Sequence, residues 1–424
     1  MDPVMDMDQT TVSTRIVRLS GARLIDGTGA GPVEGLTLLI RDGRFAYVGP
    51  AEGCPDVEVD DDIDLGGRTV LPGFFDVHVH FLMDNNGDFR NRLLSNFPTV
   101  TVFERAQRMR ETLHAGVTTV RDLGGIDAGY REAISRGLIE GPRLQVAVRL
   151  MSHTGGHADF RLPSGFDPCA ILEPFNELAD TPDEARLATR RLLRDQADVI
   201  KICASGGVNS PSDQPEDEGM TVEEIAAVVE ETRRHRGVPV AAHAQGTQGI
   251  KNAVRGGVTS IEHGYLLDDE AIDLMVERGT FLVPTLSTFH APGQDFAASA
   301  AAKKQRLLDV AMERLSEAVR RDVKVALGTD SGVGAHGHNL AELAHLTDIG
   351  LSPLAAITAG TRTAAELMRM DADFGSVEVG KVADLVVCQG DPIDDIGLLA
   401  DAANVLLVMQ GGQVVKDSMP AAIG

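Results

Sequence analysis

Two histidines stand one residue apart in "GFFDVHVHF" (residues 73–81), His78 and His80. Alternate residues of a β-strand share a face, so both imidazoles and Asp76 project the same way. Imidazoles arranged like this can ligate a metal ion, or they can be ordinary polar residues of a soluble strand. The same choice recurs at Lys201 in "DVIKICASG", His243 in "VPVAAHAQG", His263 in "TSIEHG" and Asp330 in "ALGTDSG". A lone histidine closing an apolar run is more often a satisfied structural residue than a ligand. An aspartate in Asp330's place can simply cap the next helix.

Lys201 is harder to dismiss. It lies between Ile200 and Ile202, so alternation puts Val199, Lys201 and Cys203 on one face and the isoleucines on the other. If the isoleucines meet surrounding helices, the lysine points into the interior. A charged ammonium is costly there, and burial favours the neutral amine. A neutral amine can react with carbon dioxide to give a carbamate, an anionic two-oxygen ligand able to bridge two cations. The alternative is an ion pair with a buried carboxylate such as Asp330 or Asp76.

Together, four histidines, one inward lysine and one aspartate supply two metal positions. Imidazole and carboxylate-like oxygen suit zinc, with cobalt, nickel or manganese as other choices. Two such ions about 3.5–4 Å apart share a water, lower its pKa and supply hydroxide near neutral pH. Asp330 is then placed to move the proton from that water to a leaving group.

The elements that must position these residues alternate along the chain. The apolar runs are "FFDVHVHF", "VTTVRDLG", "LQVAVRLMS", "DVIKICASG", "VPVAAHAQG", "TSIEHG", "FLVPTLST" and "VKVALGTDS". Helical patterns such as "TVEEIAAVVEETRRHRG" separate most of them. This alternation predicts an α/β fold with a parallel sheet, closed as a (β/α)8 TIM-like barrel over residues 71–374. The candidate residues would sit at the C-terminal ends of its strands, where barrel enzymes carry their chemistry. An open doubly wound sheet would want a Gly-rich phosphate turn after its first strand, and "HVHFLMDNNGD" is not one. Residues 1–70 and 375–424 read instead as short strands and turns, and predict a small β-sandwich built from both chain ends.

Composition narrows the partners. The 424-residue chain carries a formal net charge of -24, which repels phosphate backbones and anionic lipid. Nucleic acid and membrane are therefore not expected as partners. The cysteines, Cys54, Cys169, Cys203 and Cys388, are scattered without a CxxC pair, which suits a reducing compartment. The acidic start "MDPVMDMDQTTVST" has no apolar core, so a cytoplasmic location is expected.

The set "HVH", Lys201, His243, His263 and Asp330, in this order, resembles the amidohydrolase superfamily. "LPGFFDVHVH" is similar to its opening motif and "GKVADLVVCQGDP" to its closing one. The resemblance spans almost the whole chain. It implies that His78, His80 and Asp330 bind the more buried metal and that His243 and His263 bind the second. It implies that carboxylated Lys201 bridges the two, and that the enzyme self-associates, commonly as a homo-oligomer.

"MSHTGGHADF", "VIKICASGGVNSPSD" and "SIEHGYLLDDE" further resemble the branch of prolidase-like dipeptidases and carboxypeptidases. That branch also contains hydrolases of xenobiotic amides, carbamates and ureas, including ochratoxin-type amides. By this resemblance His157 helps hold and polarise the substrate carbonyl. The expected activity is hydrolysis of an amide by a metal-bridging hydroxide, in a dipeptide or N-acyl amino acid. The alternatives are a xenobiotic amide, carbamate or phenylurea, then a mononuclear heterocycle deaminase, then a metal-binding scaffold without turnover. The loops from Ser152 to about Asp180 and over "GGVNSPSDQPEDEG" lack helical period and are expected to roof the site. Tyr265 and His336 are candidate substrate contacts. His153 and His338 are unassigned, and Cys203 is expected either to line the site or to pack beside it.

Overall fold

The computed structural model describes residues 15–84, 95–162, 164–167, 175–210, 212–290 and 298–420. The acidic start, Cys169, Pro211 and residues 168–174 of the long loop lie outside the described residues. No helix among the described residues is long and apolar enough to cross a membrane.

Strands from both chain ends are hydrogen-bonded into one eight-stranded sheet. Its seam is the antiparallel pair Leu385–Cys388 with Thr69–Pro72, in register at Val387 and Val70. One apolar cluster lies on this sheet and draws on both ends, with Leu19, Leu38 and Val70 against Leu385, Leu407 and Met409. The two ends thus pool their apolar residues in one core.

The strand ladders of the middle of the chain are parallel among the described residues, with one isolated antiparallel bridge between Ser205 and Glu218. One sheet holds Phe74–Val79, Val117–Asp122 and Arg143–Val146. A second runs Asn176–Leu178, Leu150–Ser152, Ile200–Cys203, Val240–Ala244, Ser260–His263, Phe281–Val283. Helices follow most strands, among them Pro182–Arg194, Val222–Arg234, Thr247–Gly256 and Asp269–Arg278. The Val222–Arg234 helix starts where "TVEE" dictates: Thr221 Oγ1 accepts from Glu224 N and Glu224 Oε2 accepts from Thr221 N.

Residues 324–331 join the two sheets. Leu282 N donates to Lys324 O (2.8 Å), Val77 N to Leu327 O (3.0 Å), Asp330 N to His78 O (2.7 Å) and His80 N to Ser331 O (2.8 Å). On the opposite side Asp198 N donates to Val146 O (2.8 Å). The run "VKVALGTDS" makes isolated parallel bridges at Val325 and Ser331 rather than a regular ladder. Gly328 explains how close it comes: a Cβ there would lie 2.4 Å from Val283 Cγ1 and 2.9 Å from His78 Cβ.

Side-chain alternation across Ile200–Cys203 follows the sequence. Ile200 and Ile202 pack in the large core with Leu192, Ile225 and Val228 of the covering helices. Val199 faces a small inner cluster with Leu123, Ala147 and Ala241. At the strand ends alternation stops. His263 has φ 76°, Thr285 51° and Asp330 57°, left-handed values that turn the chain sharply just after the strands. Such values are costly for residues with a Cβ and cluster where a site over-determines them.

Candidate metal centre

His78, His80 and Asp330 converge, with one ligand atom from each lying within 4.8 Å of the others. Asp330 Oδ1 is 3.5 Å from His78 Nε2 and 3.4 Å from His80 Nε2. Each imidazole is tied back through its other nitrogen. His78 Nδ1 donates to Glu262 Oε2 (2.9 Å) and His80 Nδ1 to Gly124 O (2.9 Å). These bonds set the tautomers and leave both Nε2 lone pairs facing Asp330.

A second pair lies alongside. The His243 and His263 rings are 4.7 Å apart, and His263 is 5.2 Å from His78. His243 Nε2 donates to Gly206 O (3.0 Å), leaving Nδ1 open. Thr285 Oγ1 donates to Pro284 O and so accepts from His263 Nδ1 (2.7 Å), leaving Nε2 open. No third His, Cys, Asp or Glu joins this pair among the described residues.

Lys201 lies between the pairs. It is 1% exposed, and its Nζ is 3.3 Å from His78 Nε2. Among the described residues no carboxylate reaches it at ion-pair distance, so the expected alternative of a pair with Asp330 or Asp76 is not made. Asp76 instead clasps the joining segment, accepting from Thr329 Oγ1 (2.6 Å) and Asn339 Nδ2 (2.7 Å).

Electrostatics suit cations that the side chains alone do not provide. Burial depresses His78, His243 and His263 well below the usual imidazole range and pushes His80 down to about 3. Burial also lowers the Lys201 amine, although Glu262 and Asp330 pull the other way. It pushes the Asp330 carboxyl up to about 7 against the nearby Lys201 and Lys304 charges. Four neutral, oriented imidazoles and a carboxylate make a donor set for divalent ions such as zinc.

A model of the amidohydrolase family matches residues 69–415. The chain belongs to that family. The resemblance drawn from the motifs therefore holds, and the protein is an enzyme of the amidohydrolase kind. Ochratoxinase from Aspergillus niger is 32% identical over 428 residues, covering 96% of this chain and 88% of that protein. Its crystal structure superposes with a TM-score of 0.85 at 30% identity, covering 95% of this chain and 96% of that one. A prolidase solved with N-methylphosphonate-L-proline gives a TM-score of 0.88 at 33% identity, over 95% and 100% of the two chains.

Around this amidohydrolase's histidines, His157 of "TGGH" stacks on His243 with ring centroids 4.1 Å apart and an interplanar angle of 13°. Its Nδ1 donates to Asp213 Oδ2 (2.9 Å), a residue of the "GGVNSPSDQPEDEG" loop. Tyr265 and His336 are both engaged by protein partners. Tyr265 is buried behind His263, with its hydroxyl bonded to Thr288 Oγ1 (2.9 Å) and Thr285 Oγ1 (3.2 Å). It thereby braces Thr285, the residue that holds His263 Nδ1. His336 is buried too: it stacks on Phe81 at 4.8 Å and donates to Met83 O (3.2 Å), bracing the turn after His80. His338 is exposed at the start of the short helix Asn339–Ala341. His153 is half-buried at the surface, its Nδ1 donating to Thr154 O. Cys203 packs with Leu82, Leu150, Ala158 and Phe175, and burial pushes its thiol up to about 12.

Sequence reasoning missed Glu262 and Arg121. Both are fully buried, with Arg121 Nη2 donating to Glu262 Oε1 (2.8 Å) and Arg121 Nε to Val77 O (2.6 Å). Ser260 Oγ adds a bond to Glu262 Oε1 (2.5 Å). The available signal was alternation in "SIEH", which sends Ser260 and Glu262 inward together.

Proposed function

We propose that this amidohydrolase uses two divalent metal ions, zinc in the first instance, to cleave the amide bond of a dipeptide or N-acyl amino acid. The observation that carries this reading is Lys201, buried between two histidine pairs with no carboxylate partner. The His243–His263 pair needs a further ligand, and a carbamate on Lys201 would reach both pairs at once. His78, His80 and Asp330 would hold one ion, and His243, His263 and the modified lysine the other. Bound ions at such a site supply Lewis acidity and an activated water near neutral pH.

The chain's own residues do the rest. Glu262, Gly124, Gly206 and Thr285 fix the four imidazoles, so little reorganisation accompanies reaction. Asp330, beside His78 and His80, takes a proton from the attacking water and passes it to the departing amine. His157, oriented by Asp213, stands over His243 where a carbonyl would be polarised. On this reading the parallel sheets form a (β/α)8 barrel and the end strands a β-sandwich, with residues 324–331 completing the ring. Partners are small molecules, and the -24 net charge argues against nucleic acid.

The test is metal analysis together with a panel of dipeptides and N-acyl amino acids varied at the C-terminal residue, with zinc, cobalt or manganese added. Two metals per chain and turnover on the panel support the reading. One metal per chain, with Lys201→Ala still active, would refute it and favour a mononuclear deaminase. A second reading has a specific support: the 32% identity to an ochratoxinase points to a xenobiotic amide. Turnover of an aromatic amide that is not an amino-acid derivative, and of no dipeptide or N-acyl amino acid, would select it.

A further inference from the structure

The helix Ala298–Arg320 supplies a residue that the scheme above does not use. Lys303 is 7% exposed, and its Nζ donates to three backbone carbonyls: Gly207 (3.3 Å), Ser210 (2.8 Å) and Asp213 (2.5 Å). An ammonium has three protons, and here each meets a carbonyl of one loop. A buried cation whose hydrogen bonds all go to carbonyls, with the Asp213 carboxylate as a nearby counter-charge, is costly, and a neutral residue would staple a helix to a barrel more simply.

What the loop carries explains the arrangement. Asp213 Oδ1 accepts from Gly207 N (3.1 Å), while its Oδ2 holds His157 Nδ1 (2.9 Å). Gly206 O receives His243 Nε2 (3.0 Å). The loop backbone lies hard against the His157 ring, since a Cβ on Gly207 would sit 2.3 Å from its Cε1. The same few residues thus orient one metal-pair histidine and the histidine stacked upon it. Their carbonyls converge on one amine from another element, ninety or more positions along the chain.

We propose that Lys303 is a positioning residue: it clamps the loop at Gly207, Ser210 and Asp213 and, through Asp213, sets His157 over the site. The proposal rests on the amide-hydrolase reading only for its kinetic arm. Lys303 touches no reacting atom and acts through the loop.

The experiment is a double-mutant cycle on the metal-loaded enzyme with Lys303→Met, Lys303→Arg, His157→Ala and the Lys303→Met/His157→Ala pair. Lys303→Met is expected to lower kcat about 10–100-fold, the range for supporting partners of a site, with KM and bound metal nearly unchanged. Lys303→Arg should recover most of the loss, because a guanidinium also donates to several carbonyls. With His157 already removed, Lys303→Met should cost less than about threefold, since residues acting in one chain are non-additive. An equal loss in both backgrounds, or a loss of metal in step with activity, overturns the proposal and leaves a purely structural lysine. If Lys303→Met does not fold, Asp213→Asn breaks the same chain. It should reproduce the kcat loss at constant metal content, and wild-type kcat in Asp213→Asn would overturn the proposal.

Failure of the functional reading is separately visible. Should the wild-type enzyme turn over nothing on the panel, amide hydrogen exchange across residues 205–218 still reads the clamp. Exchange there should quicken by about tenfold or more in Lys303→Met and far less in Lys303→Arg, while the rest of the barrel is unchanged. Unaltered exchange in Lys303→Met overturns the clamp itself.

Discussion

Replacing Glu262 by Gln tests the support beneath the first histidine pair. Glu262 is fully buried and holds His78 Nδ1 at 2.9 Å and Arg121 Nη2 at 2.8 Å. Glutamine keeps the volume but removes the charge, and only one of its two terminal atoms accepts a hydrogen bond. Either the His78 N–H or the Arg121 guanidinium then faces an amide NH2. Losing a second partner of this kind typically costs about 10–100-fold in metal affinity, or about 1.4–2.7 kcal/mol. Leaving Arg121 buried without its counter-charge costs a further ~3–5 kcal/mol of folding stability. The assays are competition of zinc against a chromophoric chelator and denaturant unfolding of the metal-free protein. The Glu262→Gln, Arg121→Met double variant removes both charges and should be more stable than Glu262→Gln alone. Wild-type zinc affinity and unfolding midpoint in Glu262→Gln would refute the argument that this buried pair orients His78.

Lys201→Ala should lower bound metal from two per chain toward one and abolish measurable turnover, read by elemental analysis and the amide panel. Asp330→Asn should lower kcat by about 10²–10⁴-fold, the usual worth of a positioned acid–base group, while metal stays on the His243–His263 side. Gly328→Ala inserts a methyl 2.4 Å from Val283 Cγ1, and should destabilise the protein by about 1–3 kcal/mol in a denaturant melt. Removing metal with a chelator should abolish activity, and zinc, cobalt or manganese should restore it in proportion to the metal rebound.

The HxH pair was legible because period-two alternation is a local property of an extended backbone. Lys201 was legible for the same reason, its flanking isoleucines marking the face turned to the helices. Helix starts such as Thr221 with Glu224 lie within one turn of sequence, so they too were readable. The partners of Tyr265 and His336 were not legible, because proximity to a motif says nothing about which partner claims a side chain. Thr285 and Thr288 claim the Tyr265 hydroxyl, and Phe81 and Met83 claim the His336 ring.

By itself, the sequence determined the order of the candidate ligands, the facing of His78, His80 and Lys201, and the family to which the motifs belong. Only the tertiary structure decided which residues orient them. Arg121 and Glu262 are 141 positions apart, and Lys303 reaches Gly207 across 96. It also decided that the chain turns at His263 and Asp330 with left-handed φ, just beyond the strands that alternation describes. The reason is physical. Facing along a strand follows from each residue's own backbone, whereas a buried polar group takes whatever partner the joined sheets and the loops above them bring within hydrogen-bonding reach.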